Sequence, residues 1–155
     1  MPDLVPPGFS GLPDFRVWHP GEWILLGMLR YTARDGRVFD VRTGYITDFA
    51  SIPAPMRAVW AVNDETRLPA VVHDWCYSTQ CIARAEADSL LLEMMERAGS
   101  GLAKRNAYYA GVRAGGWTHW NKRTDMGGLL PDYDFSPGWA MPLGWQADLS
   151  AVSVG

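Results

Sequence analysis

Residues 68–98 read LPAVVHDWCYSTQCIARAEADSLLLEMMERA, and this stretch decides the fold. In its second half Ala87, Leu90, Leu91, Met94, Met95 and Ala98 recur at steps of three and four, which predicts an amphipathic helix over Ala83 to Ala98. Gly99 and Gly101 then stop it. The first half predicts another helix, from Leu68 to Ser78, with Pro69 in the first turn, where proline is tolerated. Val71, Val72, Trp75 and Cys76 form its apolar stripe. The turn from Thr79 to Ala83 is short, so the two helices are antiparallel neighbours.

Upstream the periodicity is that of strands. Trp23 to Thr32 reads as one strand, Asp35-Gly36 as a two-residue hairpin turn, and Val38 to Arg42 as the returning strand. Gly44 ends that strand, and Tyr45 to Phe49 is a third short strand. The first twenty residues hold five prolines and read as extended loop or edge strand. Between sheet and helices, Pro55 to Trp60 predicts one or two helical turns, and Asn63 to Thr66 a polar loop.

Downstream, Leu102 to about Gly115 predicts a further helix, marked by Ala103, Ala107, Tyr108, Ala110, Gly111 and Val112. From Gly116 on, Gly127-Gly128, Pro131, Pro137-Gly138, Pro142 and Gly144 break every pattern. Strands first and helices afterwards give an α+β domain over residues 1–120. It is a small N-terminal antiparallel sheet packed on three to four helices that include an antiparallel helical hairpin. Residues 121–155 form an irregular tail rich in Pro, Gly and Trp, expected to wrap the domain or dock on a partner.

Composition narrows the function. Hydrophobic residues are 48% of the chain, enough for a core without staples. The net charge of -3 argues against broad binding to nucleic acid, which needs a basic face. No apolar run reaches the ~20 residues that span a bilayer, and no secretion signal is visible. Cys76 and Cys81 are too few for a disulfide framework; reduced thiols are expected, with a local disulfide as the other reading.

The chemistry collects on the helical pair. His73 and Tyr77 are four apart and share a face, with Asp74 one step around, all bordering the apolar stripe. Buried polar groups need partners, and Asp88, beside the stripe of the next helix, can reach His73. A carboxylate on one imidazole nitrogen fixes the tautomer and raises the basicity of the other, as a general base requires. Asp48, in the segment Thr47 to Pro53, offers a second carboxylate, which with Asp74 suits calcium or another divalent cation. Ser51 lends a hydroxyl or a helix cap. Arg105 and Arg113 lie eight apart on a similar face and are expected to be solvated or paired to carboxylates, with substrate phosphate as a lesser option. Capping by Asp48 and Ser51, and a structural cross-link between His73 and Asp88, are the competing readings. There is no P-loop, GxGxxG, GxSxG or HExxH.

Taken together, Asp48-Phe49-Ala50-Ser51-Ile52-Pro53, His73-Asp74-Trp75-Cys76-Tyr77 and Ala87-Asp88 resemble the phage and prophage family called domain of unknown function 1353, over about residues 15 to 118. The resemblance implies a phage origin and no particular activity. His73 to Tyr77 is also similar to the HDxCY segment of secreted phospholipases A2. That similarity implies His73 as general base, Asp74 as calcium ligand, Tyr77 as support and Asp88 as the orienter of His73. The glycine-rich calcium loop and the disulfides of those enzymes have no counterpart here.

Two functions follow as expectations. One is a metal-assisted hydrolase of esters or phosphoesters, with His73, Asp88 and Tyr77 catalytic and Asp74 and Asp48 at the metal. The other is a non-catalytic virion, tail-assembly or host-interaction protein. It would bind phage structural proteins or a host protein through its tail, in the host cytoplasm or in the virion, with the His/Asp cluster structural.

Overall fold

The structure is a computed structural model and describes residues 5–20, 22–47 and 65–120. Among the described residues five strands precede four helices: β1 (Phe15–His19), β2 (Glu22–Leu25), β3 (Leu29–Thr32), β4 (Val38–Val41), β5 (Ile46–Thr47), α1 (Arg67–Thr79), α2 (Arg84–Arg97), α3 (Leu102–Gly115) and α4 (Trp117–Trp120). The fold is α+β, with every strand pairing antiparallel.

The segment from Trp23 to Thr32 is two strands, not one. β2 lies between β1 and β5 in a three-stranded sheet, whereas β3 pairs with β4 in a separate two-stranded one. The break falls at Leu26–Met28. Ile24 and Leu25 are adjacent yet both fully buried, so the chain has lost the one-in, one-out alternation of a half-buried strand. Beyond Gly27 the alternation starts afresh: Leu29 and Tyr31 point inward, Arg30 and Thr32 outward. The backbone partners change with it. Leu25 donates to Tyr45 and Leu26 to Asp14, but from Leu29 on the partners run from Val41 to Val38.

The hairpin at Asp35-Gly36 also differs in detail. A two-residue turn of that sequence needs both residues at positive φ, and only Gly36 has it, at 87°. Ala33 and Arg37 still bond, and the Gly36 amide donates to the Ala33 carbonyl, so Arg34, Asp35 and Gly36 form a three-residue loop. Upstream, the proline-rich start supplies β1 as an edge strand. It also supplies a bridge from Phe9 to Tyr31, where Gly8 (φ 91°) lies against the Tyr31 ring and Arg97, leaving no room for a side chain.

α1 buries nine of its thirteen residues, among them Val71, Val72 and Cys76. α2 meets it with Ala87, Leu90, Leu91, Met94 and Met95. Full burial of each Val, Leu or Met side chain here is worth about 1.5–3 kcal/mol, so this seam is a large part of the core. α2 begins with Glu86 accepting from the Ala83 amide, half of a capping box. It ends in a Schellman turn, with Gly99 at φ 88° and the Gly99 and Ser100 amides donating to Glu96 and Met95. α3 buries only Tyr108 and Val112. The order expected to fail at Gly116 continues for one more turn, α4, held by edge-to-face packing of Trp120 on Tyr77 and by Gln80 Nε2 donating to the Trp120 carbonyl. The turn expected at Pro55 to Trp60, the end of the strand expected at Tyr45 to Phe49, and the tail after Trp120 lie outside the described residues.

Candidate functional site

One carboxylate organises the helical half. Asp88, in the second turn of α2, is fully buried and receives hydrogen bonds from both of the other long helices, α1 and α3. His73 Nε2 lies 2.8 Å from its Oδ1, and the Tyr77 hydroxyl, one turn further along α1, donates to the same oxygen at 2.6 Å. Arg113, from the last turn of α3, donates to Oδ2 at 2.7 Å. Arg84, one turn before Asp88, stands 3.9 Å from Oδ2 and ties its guanidinium to the Val112 carbonyl at the end of α3. The four-residue step from His73 to Tyr77 and the short loop between α1 and α2 make the convergence possible.

The electrostatics follow from that geometry. Burial alone would push the Asp88 acid constant up, but the bonds from His73, Tyr77 and Arg113 outweigh it and hold the carboxylate below its ordinary range. Tyr77 moves the other way: burial and the neighbouring carboxylate push its phenol well above 10.0. An ionised Asp88 only accepts, so when the His73 ring carries a single proton that proton sits on Nε2 and Nδ1 presents a lone pair. That Nδ1 is buried and has no hydrogen-bond partner among the described residues. Its ring packs against Tyr77, with centroids 4.3 Å apart.

Asp74 leaves this cluster. It is buried and accepts from the Thr47 hydroxyl at the end of β5, so it joins helix to sheet and does not turn toward Asp88. Asp48 follows Thr47 directly in the chain, but Asp48 and Ser51 lie outside the described residues. Of the two expected calcium ligands only Asp74 can be placed. Among the described residues no three His, Cys, Asp or Glu side chains come together as a metal site. Arg105 stands apart too, on the Ser100 carbonyl and near Glu96. Sequence reasoning missed Arg84 as a site residue and gave Arg113 only a generic carboxylate. The signal for Arg84 was its four-residue spacing from Asp88.

The geometry therefore places His73, Tyr77 and Asp88 together, adds Arg113 and Arg84, and separates Asp74 and Arg105. A surface cleft of about 260 Å³ lies on the other side of α2, lined by Arg37, Ala85, Glu86, Ser89, Leu90 and Glu93, and shares no residue with this cluster. No curated protein matches the chain. No solved structure matches it. The family model described as protein of unknown function (DUF1353) matches residues 23–112. The match runs from β2 almost to the end of α3 and takes in His73, Asp74, Tyr77, Arg84 and Asp88. By this match over more than half its length, the chain belongs to the DUF1353 family.

Proposed function

We propose that the chain is a phage- or prophage-encoded hydrolase whose general base is His73. The observation that carries the reading is the His73 ring itself: Asp88 holds Nε2, and Nδ1 is a buried lone pair with no partner among the described residues. An unmet buried polar atom is a standing cost of about 1–3 kcal/mol, which a cross-link built for stability has no reason to carry. In the proposed step Nδ1 takes a proton from water as that water attacks an ester or phosphoester. Asp88 stabilises the imidazolium that forms, and Tyr77 and Arg113 keep the carboxylate in place. A calcium requirement through Asp74 and Asp48 is a separate part of the proposal, read as a rise in melting temperature in millimolar calcium.

The test is His73→Gln, whose amide keeps a donor for Asp88 while removing the base. The full chain is assayed against chromogenic carboxylic esters, phosphodiesters and phospholipid vesicles, with calcium and with chelator. Hydrolysis by the natural chain that disappears in His73→Gln, at a nearly unchanged melting temperature, supports the proposal. Equal hydrolysis by the variant, or none by either, overturns it.

The complete burial of His73 and Asp88 favours a second reading, in which the cluster only locks three helices together and the chain is a virion, tail-assembly or host-binding protein. Under that reading a chain ending at Trp120 folds normally and loses its partner. A truncated chain that still assembles would count against it.

A further inference from the structure

The helix that carries His73 ends in an unusual way. Gln80 follows the last turn of α1 in the left-handed conformation (φ 52°, ψ 39°), the one non-glycine residue at positive φ among the described residues. A left-handed residue after a helix folds the chain back, and the next side chain lands on the final turn. The Gln80 amide donates to the Cys76 carbonyl, and the next residue is Cys81. The two thiols meet there, near enough for each to act on the other's proton: Cys76 is buried and Cys81 is exposed. The influence of Cys76, helped by Thr79 and by local backbone amides, outweighs partial burial and brings the Cys81 thiol down to about 6. Neither sulfur belongs to the Asp88 cluster.

We propose that Cys76 and Cys81 form a peroxide-reactive dithiol, with Cys81 the attacking sulfur and Cys76 the resolving one. The Cys81 thiolate attacks one oxygen of a hydroperoxide and the O–O bond breaks. The sulfur becomes a sulfenic acid, and the other oxygen leaves as water or alcohol after taking up a proton. The Cys76 thiol then attacks the Cys81 sulfur. Its own proton leaves with the hydroxyl as a second water, and a Cys76–Cys81 disulfide forms. The peroxide is reduced by two electrons, and the thiol pair supplies them. Exposure of Cys81 admits the oxidant, while burial of Cys76 shields it from direct attack.

The test uses the full reduced chain and hydrogen peroxide in small excess. The expected result is loss of both free thiols, a monomer lighter by two hydrogens, and recovery with dithiothreitol. Cys81→Ser should slow thiol loss roughly tenfold, because the remaining sulfur is shut in. Cys76→Ala, if it folds, should stop at a sulfenic acid that dimedone traps on Cys81. The natural chain and Cys81→Ser decide the matter without it. Added oxygen on Cys81 with no disulfide, an intermolecular disulfide, or two unreacted thiols would overturn the proposal. None of these outcomes depends on whether His73 catalyses anything.

Discussion

Replacing Asp88 by Asn tests the centre of the helical half. An amide has one oxygen where the carboxylate has two, and its nitrogen only donates. It must present that nitrogen either to His73 and Tyr77 or to Arg113, all of which are donors. The Arg113 side is the cheaper one, because that guanidinium reaches solvent and can turn to water, whereas His73 and Tyr77 are buried. The Asn oxygen then keeps both buried donors satisfied but without charge assistance, a loss of about 2 kcal/mol over the two bonds. For a chain of this length that is roughly 4–8 °C in melting temperature. Asp88→Ala leaves both donors unmet and should cost about 4 kcal/mol. The pH dependence supplies a second readout. The folded acid constant of Asp88 is depressed, so its contribution is fully present above 3.8 and is lost as pH falls through the lower folded value. The gap between natural chain and Asp88→Asn should therefore hold from neutral pH to about 4 and close below it. Urea melts followed by circular dichroism measure it. An Asn variant as stable as the natural chain at pH 7, or a gap that widens in acid, would refute the reasoning.

Three further substitutions probe the contacts at the end of α1. Gly116 has an ordinary helical φ, but a methyl there would press on the Val112 carbonyl and on the Tyr77 hydroxyl. Gly116→Ala should thus lower stability by about 1–3 kcal/mol through overpacking, read as a lower melting temperature. Gln80→Gly removes about 1 kcal/mol of left-handed strain and gives up the bond to Trp120, a near balance. Gln80→Ala keeps the strain and loses the bond, so the alanine variant should melt below the glycine variant; equal melting temperatures would contradict this account.

The helices were legible because their signals are local. The three-and-four spacing of α2, the stop at Gly99 and Pro69 in the first turn of α1 are written within a few residues. The pairing of His73 and Tyr77 with Asp88 was legible for the same reason: helix periodicity fixes the faces and a short loop fixes the partner. The break at Leu26–Met28 was not, because a run such as Trp23 to Thr32 has the same apolar content whether one sheet or two receives it. Only the partners of Leu25 and Leu29, distant in the chain, decide. The turn of Asp74 toward Thr47 was hidden likewise, since one step around a helix points at another element and the sequence does not say which. Arg84 and Arg113 were ambiguous because arginine is as common on a solvated face as on a buried carboxylate.

α3 is the least anchored of the long helices. It rests on two buried side chains, against six for α2 and nine for α1, and its ties to the core include the two arginines that meet at Asp88. A helix held so lightly should open on its own more often than the whole chain unfolds, and its amides should trade their hydrogens with solvent before those of the other two. Each such opening lifts Arg113 from Asp88 and bares that side of the carboxylate. A centre closed at rest would then be reached by the breathing of one helix, and the rate at which α3 lets go would set how fast anything can enter.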